Sequence, residues 1–257
     1  MTIEPKKRLS NLWLRIAENI DGDFMEIFLI TSQSAGLEPS MGRPFGVGKS
    51  TLAIWMAYRA FSYYLGKLRF EGEKIIDENS YEERIEIMKK ILDNYIVWKL
   101  DDLIRVISSA RGFLPAVIWD DVQRDCPAWQ HIPRDKREKI EYLTMTRQRV
   151  ANIILTAPSM GDIARPLRRN VTWEIIVPRR GIYEVQFVAK RRAFYNPADD
   201  YSRLWYEATG TFDPLPEEID KLYKILRDSQ LNVKVSGFEV EEELGRKRGG
   251  RFIDLGF

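Results

Sequence analysis

The stretch “MGRPFGVGKSTLA”, Met41 to Ala53, ends in residue types suited to holding a string of phosphates. Glycines let consecutive backbone N–H groups turn inward and let a ligand approach the main chain. Gly46 and Gly48 supply such bends, with Val47 between them. Lys49 follows with a charge that reaches β- and γ-phosphates, Ser50 with a hydroxyl suited to Mg²⁺, and Thr51 with a second hydroxyl as an apolar helix opens. The positive end of that helix adds to the attraction. A bare Gly-Lys-Ser occurs by chance at helix starts; “GVGKST” behind an apolar strand is much more specific. In the spacing G-x-x-x-x-G-K-[ST], Arg43 stands where the first glycine belongs, and Gly42 precedes it. Either the loop starts at Gly42 with one extra residue, or Arg43 fills its first position. Arg43 itself reads as a solvated loop residue or as a phosphate contact.

A second constellation follows. “AVIWDDV” is an apolar run that ends in Asp120 and Asp121. A carboxylate at a strand tip can hold Mg²⁺ through water, and its neighbour can orient or deprotonate an attacking water. On their own these are acidic turn residues; downstream of a phosphate-holding loop they read as the metal and water side of one site. “NIILTAP” then ends a strand at Thr156, which either contacts the γ-phosphate or the water, or forms a turn. “PLRRN” offers Arg168 and Arg169, which either reach a neighbouring subunit's γ-phosphate to stabilise transition-state charge or form a solvated basic turn. The first reading requires an oligomer.

Basic residues recur beside aromatics in “VPRRG” and “AKRRAFY”. Arg179, Arg180, Lys190, Arg191 and Arg192 can grip DNA phosphates while Phe194 and Tyr195 stack on bases, or the segment is a solvated hairpin. “GRKRGGR” is a second basic patch. His131 is the only histidine and Cys126 the only cysteine, which argues against a His/Cys metal site, a Ser-His-Asp triad or a disulfide framework. Trp129, Trp173 and Trp205 are expected in the core or at an interface rather than as ligand stackers.

The elements that must position these groups follow from periodicity. “LSNLWLRIAENI” predicts a leading helix and “MEIFLIT” a first strand, followed by a turn-rich loop through Gly46. “KSTLAIWMAYRAFSYYLG” predicts a long apolar helix stopped at Gly66. “SYEERIEIMKKIL” predicts an amphipathic helix capped by Ser80 with Glu83 at its third position. “YIVWKL” and “PAVIWDD” predict strands around a helix, “DDLIRVISSARG”. A helix over 133–150, opened by Pro133, leads to the strand “NIILTAP”. “VTWEIIV” and “IYEVQFVAK” predict strands joined by “PRRG”, and “PLPEEIDKLYKILRDSQ” a late helix. The alternation predicts an α/β fold: a mostly parallel sheet flanked by helices, with ligands beyond the carboxyl ends of its strands. The expected organisation is a leading helix over 1–24, a core over 25–178, a C-terminal hairpin and helix over 179–235, and a charged, glycine-rich mobile tail over 236–257.

“GVGKST … VIWDDVQ … IILTAPSMGDIARPLRRN” resembles the core of P-loop ATPases of the AAA+/RecA-like (ASCE) class, over roughly residues 25–175. Within that class it is similar to bacterial replication initiators and helicase loaders, and to DNA-handling ATPases of archaeal viruses and plasmids. The resemblance implies ATP and Mg²⁺ as cofactors, ATP hydrolysis, action on DNA and assembly into a homo-oligomer, as in nucleotide-dependent rings. It also marks departures. Asp121 stands where many such ATPases carry glutamate. Two strands follow the core where an AAA+ helical lid is expected, which favours a lidless motor, and no helix-turn-helix follows.

Bulk composition narrows the rest. The chain has 257 residues, 44% hydrophobic, and a net charge of +2, which names no partner. No run reaches the ~18 apolar residues of a membrane span. With one cysteine and no apolar segment behind “MTIEPKKRLSNLW”, the expected location is the reducing cytoplasm. The expected function is Mg-dependent ATP hydrolysis acting on DNA, of the initiation or helicase-loading type. The alternatives are a DNA packaging or translocation motor, a nucleotide-switched protein adaptor, and a small-molecule kinase.

Overall fold

A computed structural model gives the architecture and describes residues 12–22, 24–32, 48–72, 74–179, 181–189 and 202–230. Helix α1 (Leu12–Asp21) leads into β1 (Glu26–Thr31). Helix α2 (Lys49–Tyr64) is followed by a hairpin, β2 (Leu68–Glu71) and β3 (Lys74–Asp77), and by α3 (Tyr81–Asn94). Then come β4 (Ile96–Val97), α4 (Leu100–Ser109), β5 (Leu114–Trp119), α5 (Arg134–Leu143) and β6 (Val150–Thr156). The short α6 (Arg165–Arg168) precedes β7 (Trp173–Arg179), β8 (Ile182–Ala189), β9 (Ser202–Thr211) and α7 (Glu217–Gln230). Two compact units divide the chain inside α7, Met1–Asp220 and Lys221–Phe257. The sheet and the candidate site belong to the first.

The fold is α/β. One sheet has the order β4-β5-β6-β1-β7-β8-β9, and β2-β3 stand apart. Strands β4, β5, β6, β1 and β7 pair in parallel; β8 and β9 extend the sheet antiparallel. Every residue of β1, β5 and β6 is buried, as expected of parallel strands covered on both faces. Ile27, Leu29, Val117, Trp119, Ile153 and Leu155 join Leu103 and Ile107 of α4 and Ile140 and Leu143 of α5 in one core. The alternate residues Phe28, Ile30, Ala116, Ile118 and Ile154 are equally buried on the face that α2 covers. The order places β1 and the start of α2 mid-sheet, with β5 and β6 on one side and β7 to β9 on the other.

Local chemistry sets the element ends. Ser80 and Glu83 form the reciprocal capping box of α3, at 3.2 Å and 2.8 Å. Gly66, at φ 69, ends the long helix after Tyr64. Helix α5 stops at Leu143, short of the expected 150. The Thr144 and Thr146 hydroxyls donate back to the carbonyls of Glu141 and Leu143, both at 2.7 Å, and the chain passes through a 3₁₀ turn at Thr146–Gln148. Strand β4 is only two residues long. “VTWEIIV” is more than one arm of a hairpin: β7 is also the fifth parallel strand, against β1. Sequence reasoning missed the β2-β3 hairpin and β9.

The N-terminal end of the sheet is fastened by a buried polar cluster. Glu26, 7% exposed, accepts from Arg15 Nε at 2.9 Å and from Arg15 Nη2, from Trp173 Nε1 at 2.6 Å and from Asn19 Nδ2 at 3.2 Å. Asn19 Nδ2 also donates to Asn152 Oδ1 at 2.9 Å. A buried carboxylate requires such partners, so α1, β1, β6 and β7 are held in one arrangement. The carboxyl ends of the strands lie at the opposite end of the sheet.

Candidate nucleotide site

Gly48 caps the N-terminus of α2 in the left-handed region, φ 97 and ψ 24, and its carbonyl accepts the first helical bond from the Leu52 amide at 2.9 Å. Lys49, Ser50 and Thr51 form the first turn, all half-buried. The amides of such a turn face outward and favour an anion. Gly46, Val47 and Arg43 lie outside the described residues.

The acidic tip of β5 meets this turn. Asp120, fully buried, accepts at Oδ1 from Ser50 Oγ at 3.0 Å and from Thr156 Oγ1 at 2.5 Å. The Asp121 amide donates to the same Thr156 hydroxyl at 2.9 Å. Thr156 therefore spans the two aspartates, donating to one side chain and accepting from the other backbone. The register that aligns Trp119 with Leu155 brings these strand tips level. Asp121 is the only non-glycine residue with positive φ among the described residues, at φ 50 and ψ 44. That conformation costs on the order of 1 kcal/mol for a side-chain-bearing residue, and aspartate tolerates it better than most. Its carboxylate is half-buried and lies 3.9 Å from Arg124 Nε. Sequence reasoning did not single out Arg124, although “DDVQR” places it one turn on.

More bonds lock the strand ends together. The Ala157 amide donates to the Ile30 carbonyl at 3.0 Å, and the Ser32 amide and hydroxyl donate to the Pro158 carbonyl at 3.1 Å and 3.0 Å. Thr31 Oγ1 donates to the buried Glu174 at 3.1 Å. Segments 126–128 and 162–164 pair through a Pro127–Ile163 bridge, with Ala128 N to Asp162 O and Ala164 N to Cys126 O both 2.9 Å.

That pairing leads into α6, where the two expected arginines part. Arg168 is half-buried with its Nε fully enclosed, whereas Arg169 is exposed. Arg165, which the sequence reading passed over, is also exposed and lies one turn from Arg169 on the same helix face. Trp173 is core, at 4% exposure; Trp129 is 75% exposed and so is no core residue. Of the basic residues expected to contact DNA, Arg179 ends β7, and nothing of its side chain is described. Arg180, Lys190, Arg191 and Arg192 fall outside the described residues, as do Phe194, Tyr195 and the tail.

The donors present suit a hard cation: a hydroxyl and a carboxylate converge, and oxygen ligands of this type bind Mg²⁺ alongside substrate phosphates. No helix among the described residues is long and apolar enough to cross a membrane.

No protein-family model matches the chain, and no curated protein matches it. Solved structures similar in part include the following two. The N-terminal domain of zonular occludens toxin from Neisseria meningitidis aligns with a TM-score of 0.39 at 19% identity, covering 78% of this chain and 99% of that one. The genome packaging NTPase of Sulfolobus turreted icosahedral virus 2, in complex with ATP-gammaS, aligns with a TM-score of 0.36 at 7% identity, covering 76% and 98%. Likenesses this loose assign no activity.

Proposed function

We propose that the chain binds and hydrolyses ATP with Mg²⁺ at the N-terminus of α2 and works as a homo-oligomer on DNA. The observation that carries the reading is the convergence of Ser50 and Thr156 on one oxygen of Asp120, beside the glycine-capped start of α2. Lys49 holds the β- and γ-phosphates, and the first-turn amides, with Gly46 and Val47 before them, cradle the chain of phosphates. Ser50 and Asp120 are the residues that would hold Mg²⁺, which when bound neutralises charge on the β- and γ-phosphate oxygens. Asp121 orients the attacking water and takes its proton, and Thr156 is a positioning residue that fixes the peptide between the two aspartates. Arg169, with Arg165 beside it, is better exposed than Arg168 to act on a neighbouring subunit's γ-phosphate.

Among the described residues, β7 continues into β8 and β9 of the same sheet, with no helical lid before α7. This supports the translocation or packaging type over the initiation and helicase-loading type. DNA contact rests on the basic segments around 179–180 and 190–192.

The test is ATP turnover with and without single- and double-stranded DNA, run with sizing in nucleotide. Lys49→Ala should abolish ATP binding, and Asp121→Asn should bind Mg·ATP while hydrolysing it at least tenfold more slowly. Unimpaired ATP binding by Lys49→Ala would overturn the site. Turnover indifferent to both DNA forms would remove the DNA part of the reading.

A further inference from the structure

A Cβ added to Gly48 would meet Phe212 Cε2 and Cζ at 3.3 Å and Thr51 Cβ at 3.8 Å. An aromatic ring therefore lies directly on the glycine that opens α2, next to the third residue of that helix. Phe212 reaches this point from the far side of the sheet. It follows β9, beyond β7 and β8, whereas Asp120 and Thr156 arrive from β5 and β6. The start of α2 is thus flanked by carboxylates and hydroxyls on one side and by a phenyl ring on the other.

The ring is held in place. The Phe212 amide donates to the Gly181 carbonyl at 2.9 Å, and Trp55 Nε1, two turns along α2, donates to the Asp213 carbonyl at 2.8 Å. At 8% exposure Phe212 is a fixed wall rather than a swinging side chain. The polarity across the cradle matches a nucleoside triphosphate laid over it. The γ-phosphate and metal belong with Asp120, so the other end of the phosphate chain, carrying sugar and base, points towards β7 to β9.

We propose that Phe212 is the base-side wall of the nucleotide site, packing its ring against the purine. The proposal rests on the nucleotide-site reading above and adds the residue that distinguishes a nucleotide from a bare polyphosphate. A π face accepts any base, so this wall supplies affinity for a base without reading its hydrogen-bonding edge.

The test compares calorimetric binding of Mg·ATP and Mg·tripolyphosphate by the wild-type chain, Phe212→Leu and Phe212→Tyr, with thermal unfolding confirming that each variant folds. Phe212→Leu should weaken ATP roughly tenfold, in the range of a lost base–aromatic contact, and leave tripolyphosphate unchanged. Phe212→Tyr, which keeps the ring, should bind ATP within about twofold of wild type. If Phe212→Leu weakens both ligands equally, the ring is only a prop for Gly48 and the proposal fails. It fails too if ATP binding is unaffected, or if wild type binds tripolyphosphate as tightly as ATP; each leaves the phosphate site intact. Wild type that binds neither ligand overturns the nucleotide-site reading and this proposal with it.

Discussion

Thr156 offers the sharpest test of how the strand tips are held. Thr156→Val keeps the side-chain shape and removes one hydroxyl from a fully buried position. Two bonds go with it: the 2.5 Å bond donated to Asp120 and the 2.9 Å bond accepted from the Asp121 amide. A hydrogen bond to a charged group contributes about 1.5–3 kcal/mol, and an orphaned buried donor costs about 1–3 kcal/mol. Asp120 keeps Ser50 as a partner, and the Asp121 amide is only partly buried, so the lower ends of both ranges apply. The expected loss is about 2.5 kcal/mol, or roughly 5–10 °C in Tm for a chain of this size. Thr156→Ser retains the hydroxyl and gives up one buried methyl, at about 1 kcal/mol. Urea unfolding followed by tryptophan fluorescence, without nucleotide, reads the difference. A double-mutant cycle with Ser50→Ala adds to it, because both hydroxyls donate to the same Asp120 oxygen and their effects should not be additive. If Thr156→Val is no less stable than Thr156→Ser, the hydroxyl does not bridge the aspartates and the positioning role collapses.

Glu26→Gln should destabilise the fold by about 2 kcal/mol, less than a fully buried ion pair because Arg15 keeps 27% side-chain exposure, and Arg15→Met/Glu26→Gln should recover part of the loss. A double variant no better than the single one would show that the charge is not what matters there. The Glu83 carboxyl is held below its ordinary 4.5 chiefly by the Ser80 backbone amide and then by Lys67. A lowered folded value contributes stability above the usual carboxylate range that is lost as pH falls through it, so the Tm gap between wild type and Glu83→Gln should close below about pH 4. A gap that stays constant from neutral to acid pH would contradict this assignment. Burial, followed by the charge of Asp125, pushes the Cys126 thiol up to about 12, so at pH 8 a disulfide reagent should label the native chain far more slowly than the denatured one. Equal labelling rates would mean that the thiol is not enclosed.

What the sequence made legible was local or chemically insistent. “GVGKST” sets residue types suited to phosphates in consecutive positions, and the apolar runs of β1, β5 and β6 could belong only to strands buried on both faces or to helix segments too short to stand alone. Sequence reasoning put Ser50 and Asp120 at one site because a single Mg²⁺ would take both, and the structure joins them by a hydrogen bond across 70 residues. The Thr156 bridge did not follow from such reasoning, because it depends on the register of β5 against β6, which no local pattern encodes. Nor did Phe212: its place on Gly48 comes from a chain path through three more strands, and the nearby Trp55–Asp213 bond spans 158 residues. The β2-β3 hairpin was hidden because its strands are only four residues long and two charges in each break up the apolar positions. Helix α5 was overrun because the helical pattern continued past threonines whose hydroxyls compete for the backbone.

The distribution of bonds around α2 suggests how such a site can be both rigid and responsive. On the β5 and β6 side, the Asp120 carboxylate, Thr156 hydroxyl, Asp121 amide, Ala157 amide and Ser32 amide are all engaged, and Asp121 is held in a left-handed conformation. Groups so placed need not reorganise when charge develops nearby, which is what electrostatic preorganisation requires. The same strand ends continue into segments 126–128 and 162–164, whose pairing leads directly to α6 and its exposed Arg165 and Arg169. The backbone between Asp121 and the arginines is thus paired rather than a free loop. On the opposite side, Phe212 and the Gly181 and Asp213 backbone bonds connect the start of α2 to the antiparallel strands. The start of α2 thus sits between two routes out of the site, one ending in charge and one ending in a ribbon. The proposed motor function would draw on both: on the α6 side, exposed arginines that a neighbouring subunit could meet, and on the other side, backbone bonds that tie the start of α2 to the antiparallel strands.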